Sequence, residues 1–214
     1  MRTKLLAPVF VAFLAYILLV SSSAVADPKK DLIIDKLDIL QQTLDDEIIP
    51  KLDTCHGGVP KTGQKTSYAL GDDGYWQKGF SPQPERFIDN GDGTVTDTFT
   101  KLMWTKDAQQ ISGEMNWFDA IEACNGLIFA EYEDWRLPNV REMLSLIDYG
   151  YYDPALTPGH PFLNVPPYPG RYWTSTTIAS GTTEAIHVPI VNGAVNSFNK
   201  ETNFRLVWPV RSGY

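Results

Sequence analysis

Arg86-Phe87-Ile88-Asp89-Asn90-Gly91-Asp92-Gly93-Thr94-Val95-Thr96-Asp97 decides the fold class. Asn-Gly and Asp-Gly supply the positive φ that tight turns need, so the stretch reads as two antiparallel strands around a turn. A compact domain begins here, near Glu85, and runs over residues 85–214. Leu102-Met103-Trp104 continues it as a short apolar strand. Asn116 caps a helix with Asp119 three residues on. Trp117, Ala120, Ile121 and Cys124 share one face of that helix, and Gly126 stops it. After Trp135-Arg136-Leu137-Pro138, Asn139 caps a second helix in which Glu142 completes a capping box. Val140, Met143, Leu144 and Ile147 face the core there. Tyr172-Trp173-Thr174-Ser175-Thr176 is strand-like, and Ala185 to Val191 with Ala194 to Phe198 forms a second hairpin around Asn192-Gly193. Phe204 to Val210 closes the chain as a last strand. This order predicts an α+β domain with an antiparallel sheet, two helices to one side and long loops.

Upstream of that domain the pattern changes twice. Arg2 and Lys4 precede an uncharged apolar run from Leu5 to Val20, and Ala24-Val25-Ala26 offers a small-x-small cleavage site. Residues 1–26 therefore read as a secretory signal peptide, and the run is shorter than the ~20 residues that span a bilayer as a helix. Asp31 to Ile49 reads as an amphipathic helix, with Ile33, Leu37, Leu40, Leu44 and Ile48 at helical spacing and Pro50 ending it. Two readings stand for this segment (residues 27–53): a helix packing on or leading into its own domain, or a short oligomerisation helix. Residues 54–84 are rich in Gly, Pro and polar side chains and read as a wrapping loop.

The chain has 214 residues, 43% of them hydrophobic and 21% charged, which excludes a wholly disordered chain and a polytopic membrane protein. Its net charge is -8. Loss of residues 1–26 removes Arg2 and Lys4 and no acid, leaving 16 basic against 26 acidic residues and a charge of -10. Such a balance argues against nucleic-acid binding, which needs a basic face to displace counterions. The expected location is periplasmic or extracellular, with no membrane attachment once the signal is cleaved. In that setting Cys55 and Cys124 are free to form a disulfide; alternatively Cys124, on the apolar face of its helix, is a buried thiol. The three histidines lie far apart in sequence and no zinc-ligand spacing is present.

Two groups of residues are candidates for a site. Asp89, Asn90, Asp92 and Asp97, with Thr94, place oxygen ligands at spacings loosely like a calcium loop; as a plain turn, the same side chains would bond their own backbone. Tyr149, Tyr151, Tyr152, Tyr168 and Tyr172 lie in or beside a stretch from Gly150 to Gly170 that holds six prolines. Exposed tyrosines there would stack on sugar rings, whereas buried ones would fill the core beneath the loop. Asp134, Arg136 and Glu142 suggest a structural ion-pair cluster rather than acid–base chemistry. Ser175 lacks the context of a nucleophile elbow, and catalytic residues are not recognisable.

The same landmarks carry a resemblance. Asp89 through Asp97, Leu102-Met103-Trp104, Trp117, Cys124, Asp134-Trp135-Arg136-Leu137-Pro138-Asn139 with Glu142, Tyr172-Trp173-Thr174-Ser175-Thr176 and Val207-Trp208-Pro209-Val210-Arg211 resemble the Lcl C-terminal domain family. Pro60-Lys61-Thr62-Gly63-Gln64 looks like a leader seen in many members, so the similarity runs from Pro60 to Gly213. That resemblance implies a C-type-lectin-like fold, also similar to formylglycine-generating-enzyme domains, and no catalytic activity or cofactor. The family takes its name from the end domain of an adhesin that binds sulfated glycans, a ligand that a chain of charge -10 would repel. The expectation is thus a secreted, non-enzymatic binding or adhesion module for a glycan or protein partner at the cell surface. The alternative is a structural subunit of an extracytoplasmic assembly, a homo-oligomer joined through the N-terminal helix.

Overall fold

The computed structural model describes residues 28–43, 59–82 and 85–213. The chain divides into two units, residues 1–57 and 58–214. The signal peptide, Leu44, Ile48 and Cys55 lie outside the described residues. Helix α1 (Pro28–Thr43) starts three residues before the expected Asp31, because the fixed φ of Pro28 suits a first helical turn. Ile33, Ile39 and Leu40 are 47%, 64% and 65% exposed on it. Among the described residues no helix is long and apolar enough to cross a membrane.

The second unit is mixed α+β with two sheets and few helices. Its first sheet has the order β1-β2-β3-β9, all antiparallel, from β1 (Phe87–Asp89), β2 (Thr94–Asp97), β3 (Leu102–Thr105) and β9 (Val210–Ser212). The expected hairpin opens it, with Phe87 opposite Asp97 and Asp89 opposite Val95. The second sheet has the order β4-β8-β5-β6-β7, from β4 (Ile111–Met115), β5 (Arg171–Thr177), β6 (Glu184–Pro189), β7 (Asn196–Asn199) and β8 (Arg205–Val207). The expected single antiparallel sheet is therefore two sheets, and β5 lies parallel to β8 in the second. The closing strand is also two: Trp208-Pro209 breaks it, since a proline cannot donate to a ladder and the buried Trp208 redirects the chain.

Short helices cover the second sheet on both faces rather than one. Helix α3 (Trp117–Asn125) is capped by Asn116, whose carbonyl accepts from the N–H groups of Phe118 and Asp119. Its Ala120 and Cys124 pack with Trp173, Ala185 and Val207. Helix α4 (Val140–Ser145) carries the expected capping box of Asn139 and Glu142. Its Met143 packs with Tyr172, Val188, Trp208 and Trp104. Neighbouring residues Tyr172 and Trp173 of β5 point to opposite faces, so each helix has its own core. Gly126 does end α3, but with φ -88 it sits in the right-handed region rather than the left-handed one. Cys124 is a buried free thiol, and burial pushes its pKa up to about 12.

His187 is the buried titratable group of this sheet, 1% exposed and stacked on Phe198 with ring centres 4.9 Å apart. Burial, then the charges of Arg205 and Arg171, holds its pKa down at about 4, against an ordinary 6.5. The native state thus prefers the neutral ring, and its contribution is fully present above pH 6.5 and lost as pH falls toward 4. Roughly 3 kcal/mol of stability is expected to disappear across that window. Urea melts of the wild type and His187→Gln between pH 7 and 4 check this: the pH slope should flatten in the variant.

Candidate functional site

The segment that reads as a wrapping loop is an ordered leader. Pro60 bridges Phe80, and Lys61 N–H donates to the Phe80 carbonyl at 2.9 Å. Between them lies a one-turn helix, α2 (Asp73–Trp76), whose cap Asp72 accepts from the N–H groups of Tyr68 and Tyr75. The Thr62 hydroxyl donates to Asp73. The leader docks on the domain through Gly63. A Cβ at that position would lie 1.9 Å from Asp148 Oδ1, and φ is +93, so only glycine fits. Next to it the Thr62 carbonyl accepts from Tyr149 N–H at 2.8 Å.

That docking brings three chain segments around an open cleft of about 510 Å³. Lys61 and Lys65 come from the leader, Arg86 and Phe87 from the start of the domain, and Asp148 and His160 from the Pro-rich loop. Of the lining carboxylates, Asp148 has structural work. Asp148 accepts from Gly150 N–H at 2.9 Å and from the Thr157 hydroxyl at 3.1 Å. Asp97, outside the lining, accepts from Arg86 Nε at 2.9 Å and Nη2 at 2.6 Å. His160 packs against Phe162 at 5.7 Å, and burial lowers its pKa. Among the described residues no histidine ring is hydrogen-bonded to a hydroxyl or thiol.

Four of the five candidate tyrosines are solvent-exposed: Tyr149, Tyr151, Tyr152 and Tyr168. Their backbone is tied down. Asp153 N–H donates to the Val191 carbonyl, Ala155 N–H donates to the Ile190 carbonyl, and Asp153 Oδ1 accepts from Tyr168 N–H at 3.2 Å. Tyr149 Oη donates to the Gly193 carbonyl at 3.1 Å. Gly193 has φ +66, and a Cβ there would strike Ile147 at 2.5 Å. Lys65 of the leader sits 5.9 Å from the Tyr151 ring centre. Tyr172 is a correction. It is fully buried against Trp208 (ring centres 5.4 Å apart), because it points into the core face of β5. It belongs to the core and cannot reach a ligand.

The oxygens of the first hairpin have other partners. Asp89 pairs with Lys106 at 2.6 Å, which holds its carboxyl below the usual value. The Asn90 amide donates to Thr94 and Thr96, and Asp92 accepts from the Thr94 N–H and hydroxyl. Asp97 is fully buried on Arg86. The oxygens thus serve the turn, as Asx side chains do, and do not converge. Among the described residues no group of three or more His, Cys, Asp or Glu is placed to hold a metal ion. Asp134, Arg136 and Glu142 are structural as expected. Arg136 meets Glu142 through two bonds of 2.7 Å, and Asp134 pairs with Arg211 at 2.6 Å.

Sequence reasoning passed over Lys61 and Lys65 in the cleft and the exposed Tyr68, Tyr75 and Trp76 of the leader. The signal that could have found them is the Gly63 of the leader, a residue whose φ and close approach demand a docked backbone. Strand β4 escaped notice because Ile111-Ser112-Gly113-Glu114-Met115 lacks an alternating pattern. Comparison with known proteins gives one family: a model described as the Lcl C-terminal domain matches residues 93–211. No curated protein matches the chain.

Proposed function

The chain belongs to the Lcl C-terminal domain family, and from that premise we propose that it is an exported, non-enzymatic binding module with a C-type-lectin-like fold. Its target is a glycan or a protein partner at the cell surface. The supporting observation is the exposure of Tyr149, Tyr151, Tyr152 and Tyr168 on a backbone anchored to Val191, Ile190 and the leader. Rigid tyrosines offer a stacking face and a polar tip at little ordering cost, each such contact being worth about 0.5–1.5 kcal/mol. Export rests on the signal-peptide reading of residues 1–26 alone. A glycan array and a partner screen with the purified chain test the reading. Tyr151→Ala combined with Tyr168→Ala is expected to weaken the strongest hit roughly tenfold or more at unchanged melting temperature; undiminished binding would reduce this face to packing.

A second reading is favoured by α1, which leaves Ile33, Ile39 and Leu40 exposed. In it the helix assembles the protein and the domain decorates the assembly. Light scattering with and without residues 27–53 separates the two, since only assembly predicts a mass that falls on truncation.

A further inference from the structure

Two arginines of the domain are less than a tenth exposed, Arg205 at 8% and Arg211 at 7%. Arg211 has Asp134 beside it. Arg205 forms no ion pair among the described residues. Its Nη1 donates to the Phe204 carbonyl at 2.6 Å, while its Nε is buried with no hydrogen-bond partner. The guanidinium lies 4.8 Å from the Phe198 ring centre and 5.7 Å from that of Trp173. A second cation stands next to it. The parallel register Tyr172 to Leu206 sets Arg171 beside Arg205 on the same face of the sheet, and Arg171 is half-buried and likewise forms no ion pair among the described residues. His187 adds an imidazole to this face with Nδ1 buried and unpartnered. Glu114 is the acid that acts on the cluster, and it forms no bond to it. Burial and the neighbouring Arg171 hold the Arg205 guanidinium below its ordinary pKa.

Uncompensated buried charge is costly, and in a chain of net charge -8 a like-charged pair without a carboxylate is an unfinished ion pair. We propose that Arg171 and Arg205 form a clasp for the carboxylate of a protein partner, with Phe198 as an apolar shelf for the side chain beside that carboxylate. A planar carboxylate matches the guanidinium fork. The shelf favours a peptide over a sugar because Phe198 (39% exposed) offers no hydrogen-bonding group for ring hydroxyls. The clasp uses none of the exposed tyrosines, so a failed glycan screen leaves it standing.

The probe is N-acetylphenylalanine, which carries one carboxylate next to one aromatic ring, with its neutral amide as control. Titration into the full chain is followed by the indole resonances of the NMR spectrum, Trp173 lying under Arg205. The acid is expected to bind at least tenfold more tightly than the amide. Arg171→Gln, at a half-exposed position, should lower the acid's affinity at least tenfold at unchanged melting temperature. Equal affinity for acid and amide, or an acid affinity untouched by Arg171→Gln, would overturn the clasp. Inorganic sulfate or glucuronate binding as tightly as the probe would overturn its assignment to a peptide carboxylate.

Discussion

Asp97→Ala is expected to destabilise the domain by about 3–5 kcal/mol, because it strands a charge that the fold has enclosed. Asp97 is fully buried, and the Arg86 side chain is 11% exposed. The carboxylate accepts two bonds from Arg86, one from the Thr100 hydroxyl at 2.8 Å and one from Phe99 N–H at 3.0 Å. Arg86 in turn donates to the Ser145 carbonyl at 2.7 Å, tying the first hairpin to the end of α4. Removing the acid leaves the guanidinium without its counter-ion and several donors unmatched. Replacing both partners with apolar residues, as in Arg86→Met with Asp97→Leu, should cost less than Asp97→Ala alone. Urea denaturation of the three proteins measures the comparison. A loss below 1 kcal/mol for Asp97→Ala would mean that water reaches Arg86 and the pair is a surface one.

The second large effect is at Trp208. Its ring is fully buried and meets Trp104 of β3 at 5.7 Å, Tyr172 of β5 at 5.4 Å and Phe162 of the Pro-rich loop at 4.9 Å. Its Nε1 donates to the Thr105 carbonyl at 2.9 Å. One side chain therefore joins both sheets and the loop that carries the tyrosines. Trp208→Ala is expected to cost about 3–5 kcal/mol, a large share of the 5–15 kcal/mol typical of a domain. Trp208→Phe keeps most of the ring contacts and leaves the Thr105 carbonyl unmatched, for a loss of about 1–3 kcal/mol. Equal losses for the two variants in chemical denaturation would show that the hydrogen bond, and not the packing, dominates.

Local chemistry made much of this legible. Asn90-Gly91-Asp92-Gly93 announces its turn, and Asn139 with Glu142 announces a helix start, because both act within four residues. The pairing of Arg136 with Glu142 is likewise local. What stayed hidden is set by distant partners. Nothing in the order of residues says that Trp208-Pro209 splits one apparent strand between two sheets, since the split depends on Trp104 and Tyr172 closing around an indole. The same holds for the site. Tyr149, Tyr151, Tyr152 and Tyr168 lie beside the turn residues that expose them, but Tyr172 shares their composition and differs only in which side of β5 it takes. Asp97 ends the acidic hairpin, yet its role is fixed by Arg86, eleven positions upstream. Lys65 reaches Tyr151 only because Gly63 lets the leader approach Asp148.

The division of the closing strand has a consequence for the order of events on the ribosome. Val207 pairs with Ile111 and β8 alone joins β4 to β5, so β4 waits for a strand made more than ninety positions later. A nascent chain halted before Arg205 would hold β1-β2-β3 and β5-β6-β7 with β4 unpaired, and such long-range closure is slow. Joining of β4 to β5 is thereby postponed until the ribosome has passed residues 205–207, long after β4 itself has been made.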